Sequence, residues 1–186
     1  MTGLERNADI VVMSCYAPTF AHVDAWQWRP DLIWFDNLRV MRSCSYYVQQ
    51  LYATNKGSRA HPRTMDGKPV VNAGDLNATC AVDDATGDLI VKIANVSAYS
   101  QVVTFELPGG LTGAERTTIH SDNPYDENTL DEPERVVPVT APLDLTPVAD
   151  PANEWLLGVR NLDNGRIAYS ERLGGRTFAV YRFHRK

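Results

Sequence analysis

Apolar residues follow different patterns in residues 1–57 and in residues 58–186. In the first part they form two short, nearly continuous runs, at residues 10–16 and 31–36. Such runs are typical of strands that are buried on both faces, as in a parallel sheet. We therefore expect the first part to contribute strands to an α/β unit.

A helix is predicted from Ser45 to Asn55. Its apolar side chains recur at the spacing of a single helical stripe, at Tyr47, Val48, Leu51 and Tyr52. Either Ser43 or Ser45 can cap its start, because a serine oxygen accepts from a free amide of the first turn. Lys56 and Gly57 favour an end there, since lysine suits the negative end of the helix dipole and glycine a left-handed exit.

The second part has the pattern of short antiparallel strands, because apolar segments alternate with clusters of Asp, Gly, Asn and Pro. A linker is predicted at residues 57–62. The segments 76–82 and 89–96 flank a polar turn and predict a hairpin. Further strands are predicted at residues 101–107, 117–120, 136–139 and 177–183. About seven short strands with frequent turns predict an antiparallel β-sandwich of jelly-roll type.

Composition and charge argue against a nucleic-acid or membrane partner. The net charge is −5, and the 18 basic residues are scattered instead of forming the basic surface that nucleic acids require. This acidic balance also disfavours anionic membranes. No apolar run approaches the roughly 20 residues of a spanning helix.

Candidate metal and redox chemistry is sparse. Cys15, Cys44 and Cys80 are odd in number and widely spaced, which disfavours both a disulfide framework and a zinc site. The four histidines lack the spacing of metal ligands, so we expect no metal and no cofactor. Two Asn-x-Ser/Thr sequons, at Asn77 and Asn95, matter only in a secreted eukaryotic protein, and the sequence does not decide localisation.

Two stretches carry motifs long enough to be compared with a known family. The first contains TGLERNAD at 2–9, MSCYAP at 13–18, WRPDLIWFDN at 28–37 and SYYVQQL at 45–51. The second contains DENTL at 126–130 and PERVVP at 133–138. In this order they resemble glycoside hydrolase family 51, the α-L-arabinofuranosidases. The first resembles the end of the catalytic barrel, and the second resembles the C-terminal β-domain.

The resemblance implies a mainly β chain with two parts. Residues 58–186 would form the antiparallel β-sandwich, and residues 1–57 a short α/β remnant of a (β/α)₈ barrel: the end of its seventh helix, its eighth strand and its eighth helix. A whole barrel needs roughly 200 residues or more. We therefore expect this chain to be a fragment of a longer protein.

The activity implied is retaining hydrolysis of terminal α-L-arabinofuranosyl residues in arabinan or arabinoxylan. Retaining enzymes use two carboxyl groups about 5–5.5 Å apart. In the family both are glutamates at the ends of the fourth and seventh barrel strands, and neither has a counterpart here. No catalytic residue is therefore assigned, and the chain alone is expected to be inactive. We interpret Glu154, which follows Asn153, as an exposed glutamate at a strand start, and the acidic residues 126–134 as a solvated loop.

Substrate contact is predicted just after the eighth strand, because barrel active sites lie at the C-terminal ends of strands. This places Tyr16 near the sugar. Pro18 stands where one branch of the family has a sugar-contacting glutamine, so that contact is not transferred. Trp26 and Trp28 follow in a loop, where they either stack on sugar or pack between barrel and sandwich. Trp34, in an apolar strand, is expected in the core.

Two other functions are compatible with the sequence. A non-catalytic carbohydrate-binding module would need a row of exposed aromatic side chains. The candidates in the β-region are Tyr99, Tyr125, Trp155, Tyr169 and Tyr181. A structural or assembly domain, including a homo-oligomer, would instead have an exposed apolar patch.

Overall fold

A computed structural model of the chain describes residues 1–61, 64–65, 67–148 and 157–185. Its α-helices are α1 (Thr2–Arg6) and α2 (Cys44–Thr54), and Asp163–Gly165 form a 3₁₀ turn. The strands within the described ranges are β1 (Phe20–His22), β2 (Ile33–Phe35), β3 (Val40–Arg42), β4 (Arg59–His61), β5 (Thr64–Met65), β6 (Lys68–Pro69), β7 (Leu76–Val82), β8 (Leu89–Asn95), β9 (Gln101–Leu107), β10 (Leu111–His120), β11 (Val139–Leu143), β12 (Gly158–Asn161), β13 (Ile167–Leu173) and β14 (Thr177–Arg185). Of the residues that the structure describes, 43% are in strands and 11% in helices, so this part of the chain is mainly β.

Two antiparallel sheets enclose the main core. The larger sheet has the order β11-β10-β14-β8-β7-β4, and the smaller has the order β12-β13-β9. Apolar side chains of both sheets meet in one cluster that includes Leu76, Val91, Ile93, Val103, Leu107, Leu173, Tyr181 and Phe183. This arrangement confirms the antiparallel β-sandwich.

The predicted hairpin is present. Strands β7 and β8 pair antiparallel from Leu76 opposite Asn95 to Val82 opposite Leu89. In β9, Val103 and Leu107 are buried while Val102 is half exposed, as expected from the two-residue period of a strand. Strand β14 lies between β8 and β10 and confirms the predicted strand at residues 177–183.

Two predictions in the β-region are corrected, and two strands of the sandwich were not predicted. The strand expected at residues 136–139 lies at Val139–Leu143, because Val136 is buried against the outer face of the large sheet. Part of the expected linker forms β4, which pairs with β7; Pro62 lies outside the described residues. Strands β12 and β13 were not predicted.

Helix α2 lies on the outer face of the large sheet. Leu51 packs there against Ile90, Ile119, Val136 and Val180. The Ser43 hydroxyl accepts from the backbone N–H of Tyr46 at 3.2 Å, which identifies Ser43 as the cap. The helix ends at Thr54, as the sequence indicates.

Gly57 is required for a reason other than a left-handed helix exit. A Cβ atom at this position would lie 2.5 Å from the Cβ of Ala81 and 2.8 Å from the carbonyl oxygen of Val82. Only glycine allows the chain to leave α2 so close to β7. Contact between backbones, and not a positive φ, explains this residue.

A small second sheet precedes α2. Strand β1 pairs parallel with β2, which pairs antiparallel with β3. Ala21, Trp34 and Met41 form its own buried cluster. The strand predicted within residues 31–36 and the core position of Trp34 are therefore confirmed.

The prediction of a strand at residues 10–16 is wrong for this chain. These residues are outside every strand that the structure describes. Val12 is 97% exposed, and Ile10 and Met13 are also exposed. A doubly buried strand forms only where neighbouring strands satisfy its backbone and cover both faces. No described strand pairs with these residues.

Helix α1 is fastened to the sandwich by a buried charge pair. Lys92 on β8 is fully buried, and its ammonium donates to the Glu5 carboxylate. The Thr79 hydroxyl donates to the same carboxylate. The Lys92 nitrogen also lies 4.9 Å from the centre of the Tyr52 ring on α2.

No helix among the described residues is long and apolar enough to cross a membrane.

Candidate functional site

The β1–β2 loop and the loop at residues 121–138 enclose a hollow of about 290 Å³. The small sheet and the start of α2 complete its walls. The lining residues are Val23, Arg29, Pro30, Asp31, Trp34, Arg39, Met41, Ser43, Cys44, Glu127, Asn128, Thr129, Leu130 and Asp131. Both sequence stretches that resemble the known family therefore meet at one place.

Asn128 fixes the second of these stretches to the first. Its side-chain amide donates to the carbonyl oxygens of Arg42 and Val136, each at 2.9 Å. Its side-chain oxygen accepts from the backbone N–H of Val136 at 2.7 Å. Residues 126–134 form a loop, as expected, but this buried asparagine gives the loop a defined position.

Ion pairs bridge the two loops. Arg29 contacts Glu127 at 3.4 Å, and Arg39 contacts Asp131 at 2.7 Å and Asp36 at 2.9 Å. Backbone hydrogen bonds from Leu38 and Arg39 lower the pKa of Asp36 below its usual value. Because the arginine side chains are about half exposed, solvent screens these ion pairs and each is expected to add little to stability.

Aromatic rings lie beside this bridge. The Arg29 guanidinium is 4.9 Å from the centre of the Trp34 ring and 5.6 Å from that of Trp26. Trp26 meets Trp34 edge to face, with ring centres 5.9 Å apart. Trp26 is thus partly used in packing, whereas Trp28 is 58% exposed.

The three predicted substrate-contact residues do not line the hollow themselves. Tyr16 is half-buried, and its hydroxyl donates to the Pro30 carbonyl oxygen at 3.3 Å. Tyr16 and Trp26 therefore contact residues that form the wall, and Trp28 projects from the same loop. Trp26 and Trp28 lie on the β1–β2 loop and Tyr16 contacts this loop from the segment before β1, but the structure does not place the three in a single binding surface.

Asp31 is the residue that sequence reasoning missed. It is 1% exposed, and neither carboxylate oxygen has a hydrogen-bond partner among the described residues. An unpaired buried carboxylate is costly, and buried polar groups nearly always have partners. The available signal in the sequence is a single carboxylate between Pro30 and an apolar strand, where it looks like the polar edge of the apolar run at residues 31–36.

The carbohydrate-binding alternative loses two of its five candidates. Tyr169 and Tyr181 are buried, and both hydroxyls donate to the Glu171 carboxylate between the sheets. Burial is the main cause that raises the pKa of both tyrosines. Tyr99 and Tyr125 are exposed. The segment Asn153-Glu154-Trp155 lies outside the described residues.

No group of three or more His, Cys, Asp or Glu side chains in the described part of the chain is placed to hold a metal ion.

Comparison with known proteins gives a consistent family. The α-L-arabinofuranosidase C-terminal domain family matches residues 1–149. The extracellular exo-α-L-arabinofuranosidase of Streptomyces chartreusis is 38% identical over 123 residues, covering 66% of this chain and 13% of that protein. α-L-Arabinofuranosidase 1 of Arabidopsis thaliana is 33% identical over 153 residues, covering 78% of this chain and 22% of that protein. The chain thus spans less than a quarter of either relative.

Solved structures show the same fold. The superposition with the arabinose-bound MgGH51 α-L-arabinofuranosidase covers 100% of this chain and 26% of that enzyme's chain. Its TM-score is 0.76, and the sequence identity is 27%. The family 51 enzyme AbfB of Bifidobacterium longum covers 98% of this chain and 33% of its own, with a TM-score of 0.67 and 18% identity.

Proposed function

Because this chain belongs to the α-L-arabinofuranosidase C-terminal domain family, we propose that it is the C-terminal part of an arabinofuranosidase. The parent enzyme would remove terminal non-reducing α-L-arabinofuranosyl residues from arabinan or arabinoxylan with retention. The observation that supports this most is the joining of a β-sandwich to a partial α/β unit. That unit leaves apolar residues such as Val12 and Met13 uncovered.

We propose the same division of the chain as the sequence suggests. Residues 1–57 would complete a catalytic barrel, and residues 58–186 would form the sandwich that braces it. Two observations support this boundary. Strand β4, which begins at Arg59, is the first strand of the chain that pairs into the sandwich. Helix α1 and helix α2 both rest on the large sheet without joining it.

The 186-residue chain is proposed to lack hydrolytic activity of its own. A retaining mechanism needs a nucleophile and an acid/base about 5–5.5 Å apart. No residue of this chain matches either catalytic glutamate of the family, and the acidic residues that line the hollow, apart from Asp31, are paired with arginines.

A direct assay tests this. The purified chain is expected to release no nitrophenol from 4-nitrophenyl α-L-arabinofuranoside above the buffer rate. Release that rises in proportion to protein concentration would contradict the proposal.

The parent activity is tested separately by reading the codons upstream of Met1. We expect an Asn-Glu pair at one strand end and a second glutamate at another, and their absence would reject the parent enzyme.

Tyr16, Trp26 and Trp28 are proposed as substrate contacts in the parent enzyme. Trp28 has the most exposed ring of the three and can stack on a sugar face. In the complete enzyme, Trp28→Ala is expected to raise the KM for arabinan about tenfold, equivalent to about 1.4 kcal/mol. Tyr125→Ala, which removes a ring that is 88% exposed in the β-region, serves as the control. Equal KM values for both variants would show that Trp28 does not contact the substrate.

We also infer that the isolated chain self-associates through its uncovered apolar residues, among them Val12, Met13 and Leu38. An apolar surface of this kind favours contact between copies. Gel filtration is expected to give an apparent mass above 20.7 kDa that falls towards this value in the double variant Val12→Asp, Met13→Asp. A monomer in the unsubstituted chain would contradict the inference.

A further inference from the structure

We propose that the loop at residues 121–138, which joins two strands of the sandwich, positions the β1–β2 loop and with it Trp28. Leu130 is the main positioning residue, and Glu127 assists it. The consequence for catalysis rests on the proposed function, since Trp28 is a substrate contact only in the proposed parent enzyme. The contact between the two loops is a property of this chain itself.

Leu130 completes the core of the small sheet. That core has three buried members among the described residues, Ala21, Trp34 and Met41, and Leu130 packs against them from a loop that belongs to the sandwich. A sheet of three short strands depends on such contacts, because so few apolar side chains exclude little water on their own. The sandwich therefore supplies part of the packing that holds Trp34.

The supporting loop has a defined shape around Leu130. The backbone N–H of Thr129 donates to the Glu132 carbonyl oxygen at 3.2 Å, and the N–H of Glu132 donates to the Thr129 hydroxyl at 3.0 Å. These two hydrogen bonds enclose Leu130 and Asp131. The buried Asn128 precedes them and bonds to backbone groups on both sides of the loop. Leu130 is thus presented from a fixed backbone.

Trp34 connects this support to the β1–β2 loop. Trp26 meets Trp34 edge to face at 5.9 Å, and the Arg29 guanidinium lies 4.9 Å from the centre of the Trp34 ring. Arg29 also contacts Glu127 of the supporting loop at 3.4 Å. The segment from Trp26 to Arg29 lies outside every described helix and strand. Side-chain contacts, and not a ladder of backbone hydrogen bonds, therefore hold the segment that carries Trp28.

This arrangement holds the chain on both sides of Trp28 and leaves its ring exposed. A ring on a fixed segment loses less conformational freedom when it binds a ligand, which favours affinity. The Arg29–Glu127 pair is open to solvent and adds little to stability, so its contribution is to direction. Loss of the support is therefore expected to weaken substrate binding in the parent enzyme.

The contact is tested in the 186-residue chain by ¹⁵N relaxation. Backbone order parameters of residues 26–29 are expected to be about 0.85 in the unsubstituted chain and to fall below about 0.6 in Leu130→Ala. Leu145→Ala is the matched control, because Leu145 is a half-buried leucine that packs on the main core of the sandwich instead. It is expected to leave these order parameters unchanged. Equal order parameters in the two variants would overturn the proposal.

Glu127→Gln decides the question if Leu130→Ala does not fold. Glu127 is exposed, so the fold is retained while the charge that holds Arg29 is lost. The order parameters of the same segment are expected to fall. Glu132→Gln, which removes the partner of Arg135 within the supporting loop, is the control and is expected to leave them unchanged. No difference between these two variants would overturn the proposal.

Kinetics of the complete enzyme test the consequence for Trp28. Leu130→Ala is expected to raise the KM for arabinan about fivefold with kcat unchanged. In the Trp28→Ala background it is expected to change KM by less than about twofold, because the ring that it positions is already absent. An unchanged KM, or effects that multiply, would overturn the positioning role. The relaxation measurements involve no glycoside, so a negative result there leaves the proposed arabinofuranosidase untouched, and the absence of upstream glutamates leaves the loop contact testable.

Discussion

At the scale of single residues, buried charge is the feature that sequence patterns describe least well. Lys92 lies in the strand LIVKIAN and reads as an ordinary interruption of an apolar run, yet it is fully buried. Glu5, which neutralises it, is 87 residues away in the sequence. Asp31 is hidden in the same way. No local pattern reveals such groups, because their partners or missing partners are determined by the tertiary fold.

Removing the partner of Lys92 is expected to lower the stability of the fold strongly. Glu5→Ala leaves a buried ammonium without its counter-charge and is expected to lower the free energy of unfolding by about 3–5 kcal/mol. Urea unfolding monitored by circular dichroism measures this. Glu134→Ala, at an exposed position, is the control and is expected to change stability by less than about 0.5 kcal/mol. Similar losses in both variants would mean that the buried pair contributes nothing special.

Asp36 predicts a pH dependence. Its pKa is lowered, mainly by the backbone N–H of Leu38 and then by that of Arg39, so the ionised form is favoured in the folded state. The stabilisation is therefore present above the ordinary value of 3.8 and is lost as the pH falls through the lower folded-state pKa. Asp36→Asn is expected to lower the Tm at pH 7 and to change it less at about pH 2. Equal decreases at both pH values would contradict this.

At the scale of elements, predictions succeeded where the pattern was local. Strands β7, β8, β9 and β14 alternate apolar and polar residues or follow clear turns, and they were located within one or two residues. Strand β13 has the sequence IAYSERL, in which the buried Ser170 and Glu171 break the alternation, so it was missed. Residues 10–16 show the reverse case, because their apolar run predicts a buried strand and no described strand pairs with them.

The cap of helix α2 gives an element-scale test with an internal control. The sequence left Ser43 and Ser45 as alternatives, and the structure selects Ser43. Ser43→Ala is expected to lower the free energy of unfolding by about 1 kcal/mol, because the N–H of Tyr46 loses its acceptor. Ser45→Ala is expected to change it by less than half as much, since Ser45 is inside the helix, where alanine is favourable. Thermal unfolding of both variants decides between the two serines.

At the scale of the whole molecule, the fold class and the family were within reach of the sequence, whereas the hollow was not. The motifs of residues 28–37 and 126–138 are far apart in the sequence, and nothing in their spacing indicates that they line the same hollow. The contact depends on Asn128, which reaches the backbone of Arg42 across 86 residues of sequence. Long-range contacts of this kind follow from sheet order and helix packing, which single-sequence patterns do not specify.

The bridge between Arg29 and Glu127 also determines how this chain can be recombined with its relatives. A crossover between residues 57 and 58 looks natural, because it separates the α/β elements from the sandwich. Such a chimera would nevertheless take Arg29, Arg39 and Trp34 from one parent and the loop that covers them from the other. A chimera that exchanges the sandwich therefore has to include residues 28–42 from the same parent, although these residues lie outside the sandwich.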